Sequence, residues 1–160
     1  MKKSNRNPLI IILNDIRSAL NVGAILRTAD AIGAEAVYSC GITATKDHPK
    51  IKKTALGAEE TVPTFYKKSV KLLIKNLKKK NYQIIGLEID KNAINFWEVD
   101  YEYPVALIVG NEVEGITKEI LNMCDLVIKI PMYGQKESLN VATATGVAGY
   151  EIIKQTIYKK

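Results

Sequence analysis

The feature that most constrains the fold is a pair of short, uninterrupted apolar runs rich in β-branched residues. Residues 9–13 read Leu-Ile-Ile-Ile-Leu and residues 105–109 read Val-Ala-Leu-Ile-Val. A strand with one solvated face alternates apolar and polar residues, whereas a strand buried on both faces is apolar throughout. These runs therefore predict strands inside a sheet that is covered on both sides.

The segments around these runs predict an alternation of strands and helices. Further strands are expected at 36–40, 82–89 and 126–130. Helical apolar spacing is found at 22–34 (with Asn21 as N-cap and Gly33 at the end), at 69–80, at 117–123, and from Ser138 or Asn140 to about Tyr158. Residues 41–63 predict a long loop with room for one short helix. The order favours an α/β fold with a mostly parallel sheet covered by helices.

Length and composition exclude several classes of protein. The 160 residues are expected to form one domain, 1–160, with a short basic N-terminal tail at 1–8. Cys40 and Cys124 are too few for a disulfide scaffold and are expected to be buried free thiols. With His48 as the one histidine, a zinc site and a hydrolase that uses a histidine base are both disfavoured.

The net charge of the chain is moderately positive, and no signal peptide for export is predicted at its start. Lys and Arg total 23 against 17 Asp and Glu, a net charge of +6, which permits a polyanionic partner such as RNA without requiring one. The apolar run after the tail is too short for a signal peptide or a membrane span, so a cytoplasmic protein without a membrane partner is expected.

Ligands of open α/β sheets bind beyond the carboxyl ends of the strands, and the stretch after the first strand contains one candidate cation. Arg27 lies on an otherwise apolar helix, six residues after Asn21. There it can present its fork of donors to a phosphate or oxyanion, or it can be a surface arginine paired with Asp30. The pattern alone leaves both interpretations open.

The stretch after the fourth strand is glycine-rich. Gly110 and Gly115 enclose Asn111 and Glu112 in a turn whose backbone can approach a ligand. Ile116 stands where a phosphate-binding P-loop has its lysine, which excludes a P-loop nucleoside triphosphatase, and no G-x-G dinucleotide fingerprint occurs. A turn with solvated glutamates is the alternative.

The stretch after the fifth strand runs from a loop into a helix start with free N–H groups, which are suited to a ligand. The helix that follows contains five small residues: Ala142, Ala144, Gly146, Ala148 and Gly149. A glycine inside a helix costs about 1 kcal/mol relative to alanine, and it is acceptable where another backbone passes close. Tight packing of the helix on the sheet, without a ligand, is the alternative.

Taken together and in this order, the motifs resemble the SPOUT methyltransferase superfamily, in its SpoU (TrmH-like) branch of RNA ribose methyltransferases. The matching residues are Asn21, Gly23, Arg27-Thr28-Ala29-Asp30 and Gly33, then Gly110-Asn111-Glu112 with Gly115, then Ile130-Pro131-Met132 and Ser138-Leu139-Asn140-Val141. The resemblance extends from about residue 9 to residue 158.

This resemblance implies a fold, a cofactor and a partner. The SPOUT fold has a C-terminal trefoil knot, which is a rare exception to the usual rules of chain connection. The cofactor is S-adenosyl-L-methionine, and no metal is implied. The cofactor-binding positions that match are Leu87, Gly110, Ile130, Met132, Ser138 and Leu139. Members are usually homodimers in which the partner chain completes each site, and the first and last helices are the candidate interface.

The resemblance also implies the catalytic positions of a ribose 2′-O-methyltransferase that acts on tRNA or rRNA. Arg27 matches the proposed catalytic arginine, and the other matching positions are Asn21, Glu112, Ser138 and Asn140. Because arginine stays protonated in proteins, we favour an electrostatic role for Arg27, in which it holds a phosphate and stabilises the developing alkoxide. Proton abstraction by Arg27, the proposal for the family, is the alternative.

Two other functions stay open: an RNA base methyltransferase of the same fold, and a catalytically silent RNA-binding or assembly protein. The residue pattern that includes Asn21, Arg27, Ser138 and Asn140 favours ribose as the target. The surfaces available for RNA are the core, the 41–63 loop, the lysine-rich 67–80 helix, and the dimer.

Overall fold

One parallel sheet organises the chain in the computed structural model, which describes residues 5–158. Its seven strands are β1 (Asn7–Asn14), β2 (Ala34–Cys40), β3 (Thr64–Lys67), β4 (Gln83–Leu87), β5 (Ile94–Asn95), β6 (Val105–Val109) and β7 (Leu126–Lys129). They are ordered β3-β2-β1-β6-β4-β7-β5, and every neighbouring pair is parallel. The predicted α/β fold with a parallel sheet is therefore confirmed.

Helices cover both faces of this sheet. They are α1 (Ala19–Ala31), α2 (Pro49–Ala55), α3 (Ala58–Thr61), α4 (Val70–Lys79), α5 (Lys118–Met123) and α6 (Val141–Tyr158). Successive residues of β1 point to opposite faces. Leu9, Ile11 and Leu13 join the core with α1, α2 and α6, whereas Ile10 and Ile12 join the core with α4 and α5. A strand with two buried faces cannot place a polar residue on either, which explains the apolar run.

The first helix begins earlier than the sequence predicts. Its N-cap is Ser18, whose hydroxyl accepts a hydrogen bond from the Asn21 backbone N–H at 3.2 Å, so the prediction that Asn21 is the N-cap is wrong. Serine and asparagine cap helices equally well, and the local pattern did not separate the two. Gly33 follows the helix with a φ of +63°, as a residue that ends a helix commonly does.

Residues 41–63 contain two short helices, where the sequence predicts a loop with room for one. The His48 side chain caps α2 by accepting a hydrogen bond from the Lys50 N–H. Helix α2 lies close against α1, since a Cβ added at Gly23 would stand 2.4 Å from the Ile51 carbonyl oxygen. Short helices depend on such tertiary contacts, and for this reason sequence periodicity misses them. The two edge strands β3 and β5 were missed for the same reason.

The small residues of α6 allow close packing on α1. A Cβ added at Gly149 would lie 3.0 Å from Cδ1 of Ile32, and one at Gly146 would lie 3.5 Å from Cγ2 of Thr28. Helix α6 also packs on β1 and β6, so the chain returns from β7 across the sheet to its centre. The trefoil knot implied by the resemblance stays a prediction.

The cysteines are free, as expected. Cys40 is buried and Cys124 is half-buried, and burial raises the pKa of each thiol to about 12. Strand β1 includes Asn7 and Pro8, the last two residues of the predicted tail, and residues 1–4 lie outside the described part. Within residues 5–158, no helix is both long and apolar enough to cross a bilayer.

Candidate functional site

A cavity of about 450 Å³ opens at the carboxyl ends of β4, β6 and β7. Strand order reverses direction beside it, between β1 and β6, which is where ligands bind in open parallel sheets. Its volume is within the range of small-molecule sites. The residues that line it are Asn21, Leu87, Glu88, Ile89, Val109, Gly110, Asn111, Glu112, Val113, Gly115, Ile130, Met132, Ser138, Leu139, Asn140, Val141 and Ala144.

The cavity brings together nine of the ten candidate site residues. All six predicted cofactor positions line it: Leu87, Gly110, Ile130, Met132, Ser138 and Leu139. Four of the five predicted catalytic positions line it as well: Asn21, Glu112, Ser138 and Asn140. These residues follow four different strands, and the parallel sheet gathers them because its carboxyl ends share one edge.

Three polar side chains of the cavity form a continuous hydrogen-bonded chain. The amide nitrogen of Asn21 donates to Oε1 of Glu112 at 3.1 Å. The amide nitrogen of Asn140 donates to Oδ1 of Asn21, also at 3.1 Å. These three side chains link the first turn of α1, the turn after β6 and the start of α6. Both the donor and the acceptor of the Asn21 amide are thereby oriented.

Glu112 also holds the beginning of α1. Its carboxylate accepts hydrogen bonds from the backbone N–H groups of Arg17 at 2.8 Å and Ser18 at 3.0 Å. Burial by itself raises the pKa of Glu112, but these bonds and the one from Asn21 lower it more, so the net pKa is below the ordinary glutamate value. The side chain is therefore a carboxylate at neutral pH, placed at the positive end of a helix dipole.

The turn that carries Glu112 is held by the residue before it. Oδ1 of Asn111 accepts from the backbone N–H groups of Val113 and Glu114, and its amide nitrogen donates to the Asp15 carbonyl at 2.9 Å. A Cβ added at Gly110 would lie 2.7 Å from the Ile116 nitrogen. The structure of the turn therefore explains why asparagine and glycine occur at positions 111 and 110, independently of any ligand.

Asn140 opens α6, as one of the two predicted start positions. Its Oδ1 accepts from the backbone N–H groups of Ala142 and Thr143, which leaves its amide nitrogen free to reach Asn21. Ser138 is exposed at the cavity, and within residues 5–158 its hydroxyl has no hydrogen bond. It is available to a ligand.

Arg27 is the predicted site residue that the cavity does not include. Six residues of helix separate it from Asn21, which is about 9 Å along the axis and about a third of a turn around it. It is exposed and lines a separate open cleft of about 490 Å³, together with Lys53, Thr28 and Thr54. The alternative pairing with Asp30 is not formed, and Oδ1 of Asp30 accepts a hydrogen bond from the Thr61 hydroxyl.

Several lining residues were not singled out from the sequence, and Glu88 is the charged one among them. Oε2 of Glu88 accepts from the Ile116 backbone N–H at 2.8 Å, so it ties the end of β4 to the turn after β6. Its position directly after a buried strand is the signal that could have identified it.

Comparisons with known proteins agree on one family. The model of the SpoU rRNA Methylase family matches residues 8–150. A tRNA (guanosine(18)-2′-O)-methyltransferase of Aquifex aeolicus is 36% identical over 159 residues, which cover 96% of this chain and 72% of the relative. A 23S rRNA (guanosine-2′-O-)-methyltransferase of Ralstonia nicotianae is 34% identical over 148 residues, which cover 92% of this chain and 59% of the relative.

A solved structure extends the likeness to three dimensions. The AdoMet-bound rRNA methyltransferase from Sinorhizobium meliloti superposes with a TM-score of 0.87 at 25% identity, covering 96% of this chain and 57% of that protein. This chain thus spans a little under three fifths of that protein and of the Ralstonia relative, and the remainder of each has no counterpart in the alignment.

Proposed function

Because this chain belongs to the SpoU rRNA methylase family, we propose that it is an S-adenosyl-L-methionine-dependent RNA methyltransferase that modifies a ribose 2′-hydroxyl. The relatives that support the proposal are named for 2′-O-methylation of guanosine in tRNA and in 23S rRNA. The proposed substrate class is accordingly tRNA or rRNA, and the proposed location is the cytoplasm, where these RNAs are used.

The cavity suits the cofactor in size and in chemistry. Its walls include Leu87, Ile130 and Leu139, which offer apolar surface to an adenine ring, and backbone groups beside Gly110 supply polar contacts. The polar side chains Ser138 and Asn140 lie in the same cavity. Bound S-adenosylmethionine supplies a methyl group on a positively charged sulfur, which makes the methyl carbon electrophilic.

The observation that carries the proposal is the hydrogen-bonded chain from Glu112 through Asn21 to Asn140 beside this cavity. In the proposed reaction the ribose 2′-oxygen would bond to the methyl carbon, S-adenosylhomocysteine would leave with the electron pair of the broken carbon–sulfur bond, and the hydroxyl proton would pass to solvent water. Three segments must hold both reactants in line, and preformed polar contacts do so without reorganisation. Glu112 fixes Asn21, and Asn21 fixes Asn140.

We assign Arg27 an electrostatic role toward the RNA. Its guanidinium stays protonated, so it suits a phosphate or a developing alkoxide better than it suits proton abstraction. Arg27 lies outside the cavity of its own chain, so an arginine that acts at this cavity would come from a second copy. We propose a homodimer in which the partner subunit's Arg27 faces the cavity.

The outer surface of the α1–α6 pair is the proposed dimer interface. Leu20, Val147 and Tyr150 lie on these packed helices and are 45%, 39% and 56% exposed. Apolar side chains exposed along neighbouring helices are typical of surfaces that another protein covers. The same helices carry Asn21, Arg27 and Asn140, so an interface here brings the two sites of a dimer next to each other.

The lysines of α2 are the proposed RNA contacts, in preference to those of α4. On α4, Lys71 and Lys78 pair with Glu119 and Asp125, whereas Lys75 and Lys79 are exposed without an acidic partner among residues 5–158, so the preference rests on the position of Arg27. Lys53 on α2 is exposed, has no acidic partner among residues 5–158, and shares the cleft of Arg27. An unpaired cation is free to neutralise a phosphate.

Transfer of a labelled methyl group from S-adenosylmethionine to unmodified tRNA and rRNA, followed by alkaline hydrolysis, tests the proposal. A 2′-O-methyl group blocks cleavage, so label in alkali-stable dinucleotides is expected. Label in mononucleotides would indicate base methylation. Absence of transfer to both RNAs, together with binding of RNA, would indicate the catalytically silent alternative.

A further inference from the structure

We infer that Glu88 is a cofactor-binding residue whose carboxylate accepts a hydrogen bond from a donor group of S-adenosylmethionine. The inference rests on the proposed function, because it assumes that the cavity holds this cofactor. Glu88 is outside the three sequence motifs and lines the cavity from the end of β4.

The Glu88 side chain is held in one orientation. Oε2 accepts from the Ile116 backbone N–H at 2.8 Å, and Oε1 accepts from the Ile89 backbone N–H at 2.9 Å. A Cβ added at Gly115 would lie 2.3 Å from Oε2, so only glycine at that position allows the approach. Glu88 and Gly115 therefore form a matched pair that fixes a carboxylate against the cavity wall.

This carboxylate keeps acceptor capacity that the protein does not use. Two carboxylate oxygens offer about four acceptor sites, and the bonds to Ile89 and Ile116 occupy one on each oxygen. Glu112, the other glutamate of the cavity, already accepts from Arg17, Ser18 and Asn21. The acidic side chain with more free capacity toward a ligand is therefore Glu88.

The apolar neighbours of Glu88 mean that a polar group of a cofactor bound here needs a hydrogen-bond acceptor from the protein. Leu87 and Ile89 flank it in the chain, and both line the cavity with apolar side chains. A hydroxyl or ammonium group buried beside them loses its water and requires a protein acceptor. S-adenosylmethionine has two kinds of suitable donor: the two ribose hydroxyls and the ammonium of its methionine part.

Isothermal titration calorimetry on the full chain tests the inference with two probes. S-adenosylhomocysteine has both donor types, whereas 5′-methylthioadenosine has the ribose hydroxyls and lacks the amino acid. For Glu88→Gln we expect S-adenosylhomocysteine to bind about tenfold more weakly than to the wild type, since a hydrogen bond to a charged acceptor is replaced by a neutral one. An equal loss for 5′-methylthioadenosine would assign the ribose hydroxyls, and an unchanged value would assign the ammonium.

Glu114→Gln is the matched control. Glu114 lies in the turn after β6, is exposed and does not line the cavity, and the substitution changes the net charge by the same amount. We expect it to leave both affinities at the wild-type value. An equal loss in this control would assign the effect to overall charge and would overturn the inference.

A merely structural role of Glu88 predicts a different result. If the side chain only ties β4 to the turn, Glu88→Gln lowers the Tm and leaves the affinity for S-adenosylhomocysteine unchanged at low temperature, which would overturn the inference. Glu88→Asp, which keeps the charge but withdraws it, is expected to weaken binding too, and it serves if the glutamine variant does not fold. Absence of S-adenosylhomocysteine binding to the wild type would instead overturn the proposed function itself.

Discussion

The amide groups of Asn21 and Asn140 meet in a hydrogen bond of 3.1 Å across 119 residues of chain. Asn21 lies in the first turns of α1, and Asn140 lies directly before α6. The Asn21 side chain also donates to Glu112, and the Asn140 side chain also accepts from two backbone N–H groups. The contact therefore connects the folding of two helices to the geometry of the cavity.

Two substitutions at Asn140 separate helix capping from this contact. Asn140→Asp keeps an acceptor for the Ala142 and Thr143 N–H groups but loses the amide donor to Asn21. We expect its Tm to stay near the wild-type value and methyl transfer to fall at least tenfold. Asn140→Ala loses the cap as well, at a cost of about 1 kcal/mol in unfolding free energy. Thermal unfolding and methyl transfer measured on both variants provide the test, and full activity of Asn140→Asp would contradict it.

Glu112 is expected to stabilise the folded chain at neutral pH and to lose this effect in acid. Its pKa is lowered in the folded chain, so its contribution is fully present above the unfolded pKa and is lost as the pH falls through the folded pKa. We expect Glu112→Gln to be less stable than the wild type at pH 7 and the difference to shrink on titration toward pH 3. Tm values across this range measure the effect. A difference that stays constant with pH would show that Glu112 acts through packing alone.

Subunit mixing tests whether Arg27 acts across a dimer. Arg27→Ala and Asn140→Ala are each expected to be inactive alone. In a random mixture half of the dimers are mixed, and each of these has one intact site if the arginine comes from the partner, so about a quarter of the wild-type activity should return. Methyl transfer by the two variants refolded together measures this recovery. If the mixture is as inactive as each variant alone, Arg27 does not act on the partner's site, which would contradict the proposal.

The close approach of α1 and α2 makes Gly23 sensitive to substitution. In Gly23→Ala the new methyl group would stand 2.4 Å from the Ile51 carbonyl oxygen, so the helices must separate. We expect a loss of about 1–3 kcal/mol in unfolding free energy, as for overpacking in other cores. Gly134→Ala is the control, since nothing lies within 4 Å of its added Cβ. Denaturant unfolding of both variants measures the loss. Equal unfolding free energies for the two variants would contradict the close approach of α1 and α2.

Lys53 is expected to contribute to RNA affinity through charge. Removing one phosphate contact lowers the slope of log affinity against log salt by about 1. We expect this change for Lys53→Ala and little change for Lys78→Ala, because Lys78 is paired with Asp125. Binding to labelled tRNA at several salt concentrations measures the slopes. A larger effect for Lys78→Ala would favour α4 as the RNA surface.

Local sequence patterns were enough to predict the structure wherever a residue's surroundings are determined by its own strand or helix. The run at 105–109 coincides with β6, because a strand buried on both faces needs every residue apolar. Thr117, Ser69 and Gly33 stand at helix boundaries as expected, since capping depends on neighbours in the chain. The motif residues after each strand could also be expected to converge, because parallel strands share a carboxyl edge.

Contacts between distant segments needed the tertiary structure. Helices α2 and α3 are too short to be stable alone, and their packing against α1 is invisible to periodicity. Glu88 belongs to none of the three sequence motifs. Its orientation in the cavity depends on Gly115 and Ile116, which come later in the chain. Arg27 and Asn21 share one motif, yet the pitch of α1 turns them to different cavities. The sequence by itself determined which residues reach the sheet edge, and three-dimensional packing decided which of them meet, since side-chain contact depends on how elements pack rather than on their order.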